Sequence, residues 1–390
     1  MVEVGMMEAA ATVAGVAAAN GDASEAGRRL ARPVVEAFES SGLGALVAPT
    51  ALGGMAEHPA RLVEVVELIA TADASAGWCS GIGMGSNFMA ALVPESTAGE
   101  LYTDLRRGGA GPFAPGGPAR PFGDTVHVAG RWAYSSNCQQ AGVLAGGVVL
   151  FEGDSPKMTP DGPAFGLAFL TADDFVVDEN WNTDGLRGTG SHDVTADVHV
   201  APERISSLWA DKWPDDALFR LRSFDVLGPC LGAVPLGIGR AALDVLKAKT
   251  IADFAGPPRP GPRPRLADNP VGQAELAKAE LHLRGARALL LDALDVAFAH
   301  AQRGDVPPRD VTATIGLACC EALVAGKHAV AAATSLMGSA AIREGSPLLR
   351  LRRDIDAAGS HVMFSPIVMT GLGRELAGIP TAAFPYLLAP

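Results

Sequence analysis

The sequence predicts an α+β protein: an N-terminal helical domain, a middle antiparallel β domain and a C-terminal four-helix bundle. Three observations carry the prediction. Apolar residues recur at helical spacing up to residue 108, alternate with other residues from 110 to 205, and return to helical spacing from 229 to the end. The boundaries drawn from these changes are 1–109, 110–215 and 216–390.

Within the first region, Arg32 to Ser40 is a short amphipathic piece, and Leu62, Val63, Val66 and Ile69 share one helical face. Gly53-Gly54 breaks the chain between these helices. Residues 1–20, MVEVGMMEAAATVAGVAAAN, read as a frayed or helical lead-in, with acidic residues where a secretory leader needs basic ones. In the second region, Val126, Val128 and Gly130 alternate with other residues, and Val143 to Phe151 is a short apolar run. Val194, Ala196, Val198 and Val200 then alternate with Thr195, Asp197 and His199. The third region contains candidate helices over Leu231–Thr250, Asn269–Arg303, Arg309–Met337 and Pro347–Leu376, with Pro366 bending or interrupting the last. Four long helices with short connections predict a bundle. The exception is GPPRPGPRPR at 256–265, an expected exposed loop that carries Arg259, Arg263 and Arg265.

Composition narrows the function classes. A net charge of -12 over 390 residues argues against a nucleic-acid binder, which needs clustered Lys and Arg on the phosphates. No run of about 18 uncharged apolar residues suggests a membrane span. The five cysteines (Cys79, Cys138, Cys230, Cys319 and Cys320) are irregularly spaced, which fits reduced cytoplasmic thiols, and they show no metal-ligand spacing. His192 and His199 fall on opposite faces by strand parity, so no metal is expected there either. GIGMG at 81–85 follows a helix, so it is not read as a dinucleotide fingerprint.

Several segments carry a resemblance. They are SSGLGALVAPTALGG at 40–54, ADASAGWCSG at 72–81, GRWAYSSNC at 130–138, WNTDGLRGTGSHDV at 181–194 and SPLLRLRRDIDAAGSHV at 346–362. In this order, with helices before and after a β region, the chain resembles the acyl-CoA dehydrogenase fold. In the dehydrogenases, the segment after the Arg-Asp pair (here Arg353-Asp354) leads to a glutamate that removes the α-proton of a thioester. Here it reads Gly359-Ser360-His361-Val362. The two-component flavin monooxygenases of this fold carry a histidine there, and the chain is similar to them also in the Trp132-x-x-x-Ser136 pattern and the GLRGTGS run.

That resemblance implies an oxygenase component taking reduced FMN or FAD from a separate flavin reductase, reacting through a C4a-hydroperoxide, with no NAD(P)H site of its own. It implies a cytoplasmic homotetramer. It assigns His361 as base on the substrate or hydrogen-bond partner of the peroxide, and Ser136 as a hydrogen bond near flavin N5 and C4a. Trp181 becomes a wall against the ring. Ser191 with the backbone of Gly188, Thr189 and Gly190 suits a phosphate, Arg187 adds charge, and Gly338-Ser339 approaches the cofactor, from another subunit if not its own. One of the loop arginines is a further candidate for a flavin phosphate across a subunit interface. Asn87 and Phe113 are the substrate-side candidates. Two departures stand out: Asn87 lies where phenol-hydroxylating relatives often have a histidine, and Asn137 where a glycine is common. The alternatives are an acyl-CoA dehydrogenase with tightly held FAD, and a non-catalytic binding subunit.

Overall fold

The computed structural model describes residues 2–160, 162–256 and 265–379. Five helices form the N-terminal part: α1 (Val2–Gly27), α2 (Arg32–Ser41), α3 (Pro59–Ala72), α4 (Ala74–Phe88) and α5 (Glu95–Leu101). The lead-in is not frayed. Met6, Ala10, Val13, Ala14 and Ala17 are buried on α1, which packs on α3. The expected apolar face of α3 is real, with Leu62, Val63, Val66 and Ile69 all fully buried. The glycine pair makes a close approach: Gly53 takes φ 82°, and a Cβ on Gly54 would lie 2.1 Å from the Ala48 carbonyl oxygen. Asp73 caps α4, its Oδ1 accepting from the Ala76 N–H at 2.8 Å.

The middle region is a nine-stranded sheet. Its strands are β1 (Gly109–Ala110), β2 (Gly117–Phe122), β3 (Thr125–Trp132), β4 (Val143–Glu152), β5 (Ser155–Pro156), β8 (Phe165–Thr171), β9 (Val176–Asp178), β10 (Asp193–Val200) and β11 (Ile205–Ser206). The short β6 (Met158–Thr159) and β7 (Gly162–Pro163) pair separately. The main order is β11-β8-β4-β2-β3-β10-β9. The expected antiparallel domain holds for most pairings, such as β10 on β3 with Val194 opposite Trp132. However, β1 and β2 each run parallel to β4. Alternating burial reports which face of a strand is covered and carries no information on its direction, so the mixed character was invisible in the pattern.

The C-terminal part holds α6 (Ser223–Ala255), α7 (Pro270–Gln302), α8 (Arg309–Met337), α9 (Pro347–Gly359) and α10 (Pro366–Leu376). α6 begins eight residues before the expected start, because Pro229 and Pro235 are accommodated inside it rather than ending it. It is the central helix: a Cβ on Gly239 would lie 3.0 Å from the Gly326 Cα of α8, so the two backbones nearly touch. Both α6 and α8 are long and apolar enough to cross a membrane, yet 83% and 61% of their most apolar windows are buried inside the protein. The expected fourth helix is two, α9 and α10, separated by a turn that carries His361. Arg259 and Arg263 lie outside the described residues. Arg265 is tied to its own chain, donating to the Asp253 and Gly256 carbonyls at 3.0 and 2.9 Å.

Candidate active site

Three pieces distant in sequence meet between the sheet and the helices: Trp78 on α4, the 134–138 turn after β3, and the 181–191 loop before β10. The Trp78 Nε1–H donates to Ser136 Oγ at 3.0 Å. Ser136 Oγ lies 2.7 Å from Ser191 Oγ, and Ser191 Oγ lies 2.7 Å from Thr189 Oγ1. The Thr189 hydroxyl donates to the Leu186 carbonyl at 2.8 Å. The ring of Trp78 also stands edge-on to His361, centroids 5.6 Å apart. Sequence reasoning noted ADASAGWCSG only as a helix junction and missed Trp78. A tryptophan among small residues on a buried helix was the available signal.

The loop is held by the last helices. Asp354 on α9 is 4% exposed, and its Oδ1 accepts the Leu186 N–H at 2.7 Å. Leu186 takes a left-handed φ of 50°, unfavourable for a γ-branched side chain. A Cβ on Gly185 would sit 2.0 Å from the Arg353 carbonyl oxygen, so only glycine permits this approach. Burial, partly countered by the Leu186 N–H and Arg350, raises the Asp354 carboxyl to about 6. Arg350 in turn joins Asp73 at 2.6 Å, linking α9 to the cap of α4. The Arg353-Asp354 pair thereby connects the 181–191 loop to α9, the helix that precedes the His361 turn.

His361 caps the start of the short helix Val362–Phe364, its Nδ1 accepting the Met363 N–H at 3.2 Å. Burial lowers its pKa to about 4, and among the described residues no charged group acts on it. The ring is therefore neutral at ordinary pH. With Nδ1 occupied as an acceptor, the proton sits on Nε2. The side chain presents an N–H donor, which favours the expected role of hydrogen-bond partner over that of base.

Other sequence-predicted residues fall differently. The residues expected to hold a phosphate have these neighbours. Gly188 is buried against Ser24 and Ser75, the Thr189 N–H closes a turn on Leu186, and Ser191 spends its hydroxyl between Ser136 and Thr189. Arg187 folds back onto Asn182 and the Thr183 carbonyl, at 3.1 and 2.7 Å. Gly190 adopts φ 52° to turn the chain. Trp181 is pinned: its Nε1–H reaches the Leu186 carbonyl at 3.1 Å, its backbone N–H donates to His192 Nδ1 at 2.9 Å, and its ring stands edge-on to Tyr134 at 6.3 Å. Tyr134 itself is 75% exposed, so this face of the turn is open. Asn87, expected on the substrate side, is 2% exposed and spends its amide hydrogens on the Gly44 and Leu105 carbonyls, at 2.9 and 2.8 Å, which makes it a brace. Asn137 takes φ 68°, a left-handed backbone that asparagine tolerates better than most residues, which explains how it stands in for glycine. Phe113 lies edge-on to Phe224 at 6.5 Å. Phe224 also lines a narrow crevice with Asp225, Gly228, Thr312 and Met363. Gly338 and Ser339 form a turn at the end of α8 and share no hydrogen bond with the hydroxyl chain among the described residues.

The comparisons agree with this architecture. Residues 229–366 match the family model described as "Acyl-CoA dehydrogenase, C-terminal domain". The chain is 32% identical over 353 residues to the indole-3-acetate monooxygenase of Pseudomonas putida, covering 90% of this chain and 88% of that one. It is 26% identical to the flavin-dependent monooxygenase oxygenase subunit HsaA of Rhodococcus jostii, covering 89% and 92%. The solved structure of XiaF from Streptomyces, in complex with FADH2 and glycerol, superposes with a TM-score of 0.87 at 23% identity, covering 100% of this chain and 97% of that one. With a relative above 30% identity matched over most of both chains, the chain belongs to the oxygenase components of the flavin-dependent monooxygenases, enzymes that use reduced flavin and dioxygen on the acyl-CoA dehydrogenase fold.

Proposed function

We propose that this oxygenase acts on a small aromatic substrate held between the sheet and the 359–365 turn, with Ser136 and His361 as the groups that meet cofactor and substrate. The observation that carries the reading is the convergence of Ser136, Trp78 and His361, with burial as the only influence on the imidazole. A dehydrogenase needs a carboxylate at this point, and among the described residues no acid perturbs this ring. The first-named relative acts on indole-3-acetate by its name, which supports an aromatic substrate here.

The residues fit a flavin. Ser136 is half-buried at the open end of the hydroxyl chain, beside the exposed Tyr134 and the pinned Trp181. When bound, reduced flavin supplies oxygen activation. The chain's own residues do the rest. Ser136 holds a ring edge through Oγ. Trp181 and Tyr134 provide an aromatic border. His361 offers a neutral N–H to an oxygen atom in the site, and a desolvated donor of fixed direction is worth more there than in water. Phe113, Phe224 and Met363 form the apolar side against which an aromatic ring packs.

The same reading includes a separate flavin reductase as partner, a cytoplasmic location and a homotetramer. In support of assembly, Leu281, Leu289 and Val296 form an exposed stripe on α7, and Val324 on α8 with Ile367 and Met369 on α10 are also exposed. The test is a reaction of protein, chemically reduced FMN or FAD, ¹⁸O₂ and indole-3-acetate, analysed by mass spectrometry. One ¹⁸O atom in an aromatic product supports the proposal. Anaerobic bleaching of bound FAD by acyl-CoA thioesters, with no oxygenated product, overturns it.

A further inference from the structure

The hydroxyl chain has a direction, and that direction has a consequence for flavin binding. Three hydroxyl groups, on Ser136, Ser191 and Thr189, own three hydrogens. They make three contacts among themselves and with the Leu186 carbonyl, at 2.7, 2.7 and 2.8 Å. A carbonyl oxygen only accepts, so Thr189 must donate to Leu186. Ser191 must then donate to Thr189, and Ser136 to Ser191. All three hydrogens are used. At the other end the Trp78 indole, a donor only, occupies one lone pair of Ser136 Oγ at 3.0 Å. Ser136 is left with one lone pair and no hydrogen.

We propose that this one-way chain makes Ser136 an obligate acceptor and so lets the site select reduced over oxidised flavin. The inference rests on the reading of Ser136 as a flavin contact. Reduced flavin carries an N–H at N5, which a lone pair welcomes. Oxidised flavin has a bare acceptor nitrogen at N5, which a lone pair opposes. Two acceptors facing each other leave both unsatisfied on desolvation. Thr189 and Ser191 are then specificity-determining positions that never touch the ring, and the buried Leu186 carbonyl, held by Asp354 through the Leu186 N–H, is the anchor that sets the polarity.

The test is anaerobic equilibrium titration of the full chain with FMN and FAD in both redox states, read by flavin absorbance and protein fluorescence. The wild type is expected to bind the reduced form at least about tenfold more tightly, the size of one hydrogen-bond preference. Thr189→Val keeps the shape of the side chain but frees the Ser191 hydrogen to turn toward Ser136. That releases the Ser136 hydrogen to donate outward. The expected result is a reduced-to-oxidised ratio smaller by about fivefold or more, mainly through tighter binding of oxidised flavin. Ser191→Ala, which frees the Ser136 hydrogen directly, must shift the ratio in the same direction, and Ser136→Ala must bring it close to about one. Melting curves on each variant confirm folding, and Ser191→Ala serves if Thr189→Val does not fold. An unchanged ratio in the folded variants, or no preference in the wild type, overturns the inference while leaving the flavin site in place. Failure of the wild type to bind any flavin overturns both.

Discussion

Replacing Asp354 with asparagine separates the two duties of that carboxylate. Asparagine keeps an oxygen for the Leu186 N–H, now bonded at 2.7 Å, but gives up the charge beside Arg350, whose Nε lies 3.7 Å from Oδ2. The wild-type carboxyl is raised by burial from 3.8 to about 6. A folded-state pKa above the unfolded one means that ionisation opposes folding. The stability associated with the neutral acid is complete below the unfolded pKa and is lost as pH rises through about 6. The full loss is about 3 kcal/mol, of which about 1.5 kcal/mol falls between about pH 5 and about pH 7.5. The asparagine variant has no such loss. Urea denaturation of both proteins at those two pH values should therefore show the wild type losing ground to the variant by about 1.5 kcal/mol on going to the higher pH. Every other titrating group is common to both proteins and cancels to first order. A difference that stays constant or grows in favour of the wild type refutes the reasoning, because it means that Arg350 holds the carboxylate ionised in spite of its burial.

Further outcomes follow from the same geometry. His361→Ala should lower product formation by about a hundredfold or more, the usual loss for one positioned donor, with flavin affinity nearly unchanged, and His361→Gln should recover part of it; equal rates in all three remove the donor role. Because the imidazole is lowered to about 4, its neutral form is complete above the unfolded value and is lost only as pH falls toward about 4, so substrate turnover should show no histidine limb between about pH 5 and about pH 8. A limb near about 6.5 contradicts that. Asn87→Leu should cost about 1–3 kcal/mol of stability by removing two hydrogen bonds and leaving the Gly44 carbonyl unsatisfied, while the KM of the remaining folded enzyme stays put; a large KM change without loss of stability returns Asn87 to the substrate side.

The helices were legible because their ends are written in local chemistry. Arg309–Met337 was read to the residue, bounded by prolines before it and Gly338 after it. Asn269 announced α7, and its side chain does accept from the Gly272 N–H. The break at 359–365 was placed at Pro366, because a proline is visible to a sequence reader, whereas an imidazole that caps a turn by accepting a backbone N–H looks like any other histidine. The family resemblance located Ser136, the GTGS run and His361, but it could not say which of them meet one another. Ser136 and Ser191 are 55 residues apart and meet only because β3 pairs with β10. Gly188 and Asn87 are committed to packing and bracing by neighbours on other helices, and such tertiary partners leave no trace in local pattern. Asp354 was recognised as half of a motif, yet its duty toward Leu186 depends on α9 crossing the 181–191 loop.

The most direct measurement is a structure solved anaerobically with reduced flavin bound. The N5 edge of the ring is expected within about 2.7–3.2 Å of Ser136 Oγ, with the Nε2 of His361 directed toward the same ring. A ring bound away from Ser136, or a carboxylate in the place of the imidazole at the reacting edge, would contradict it.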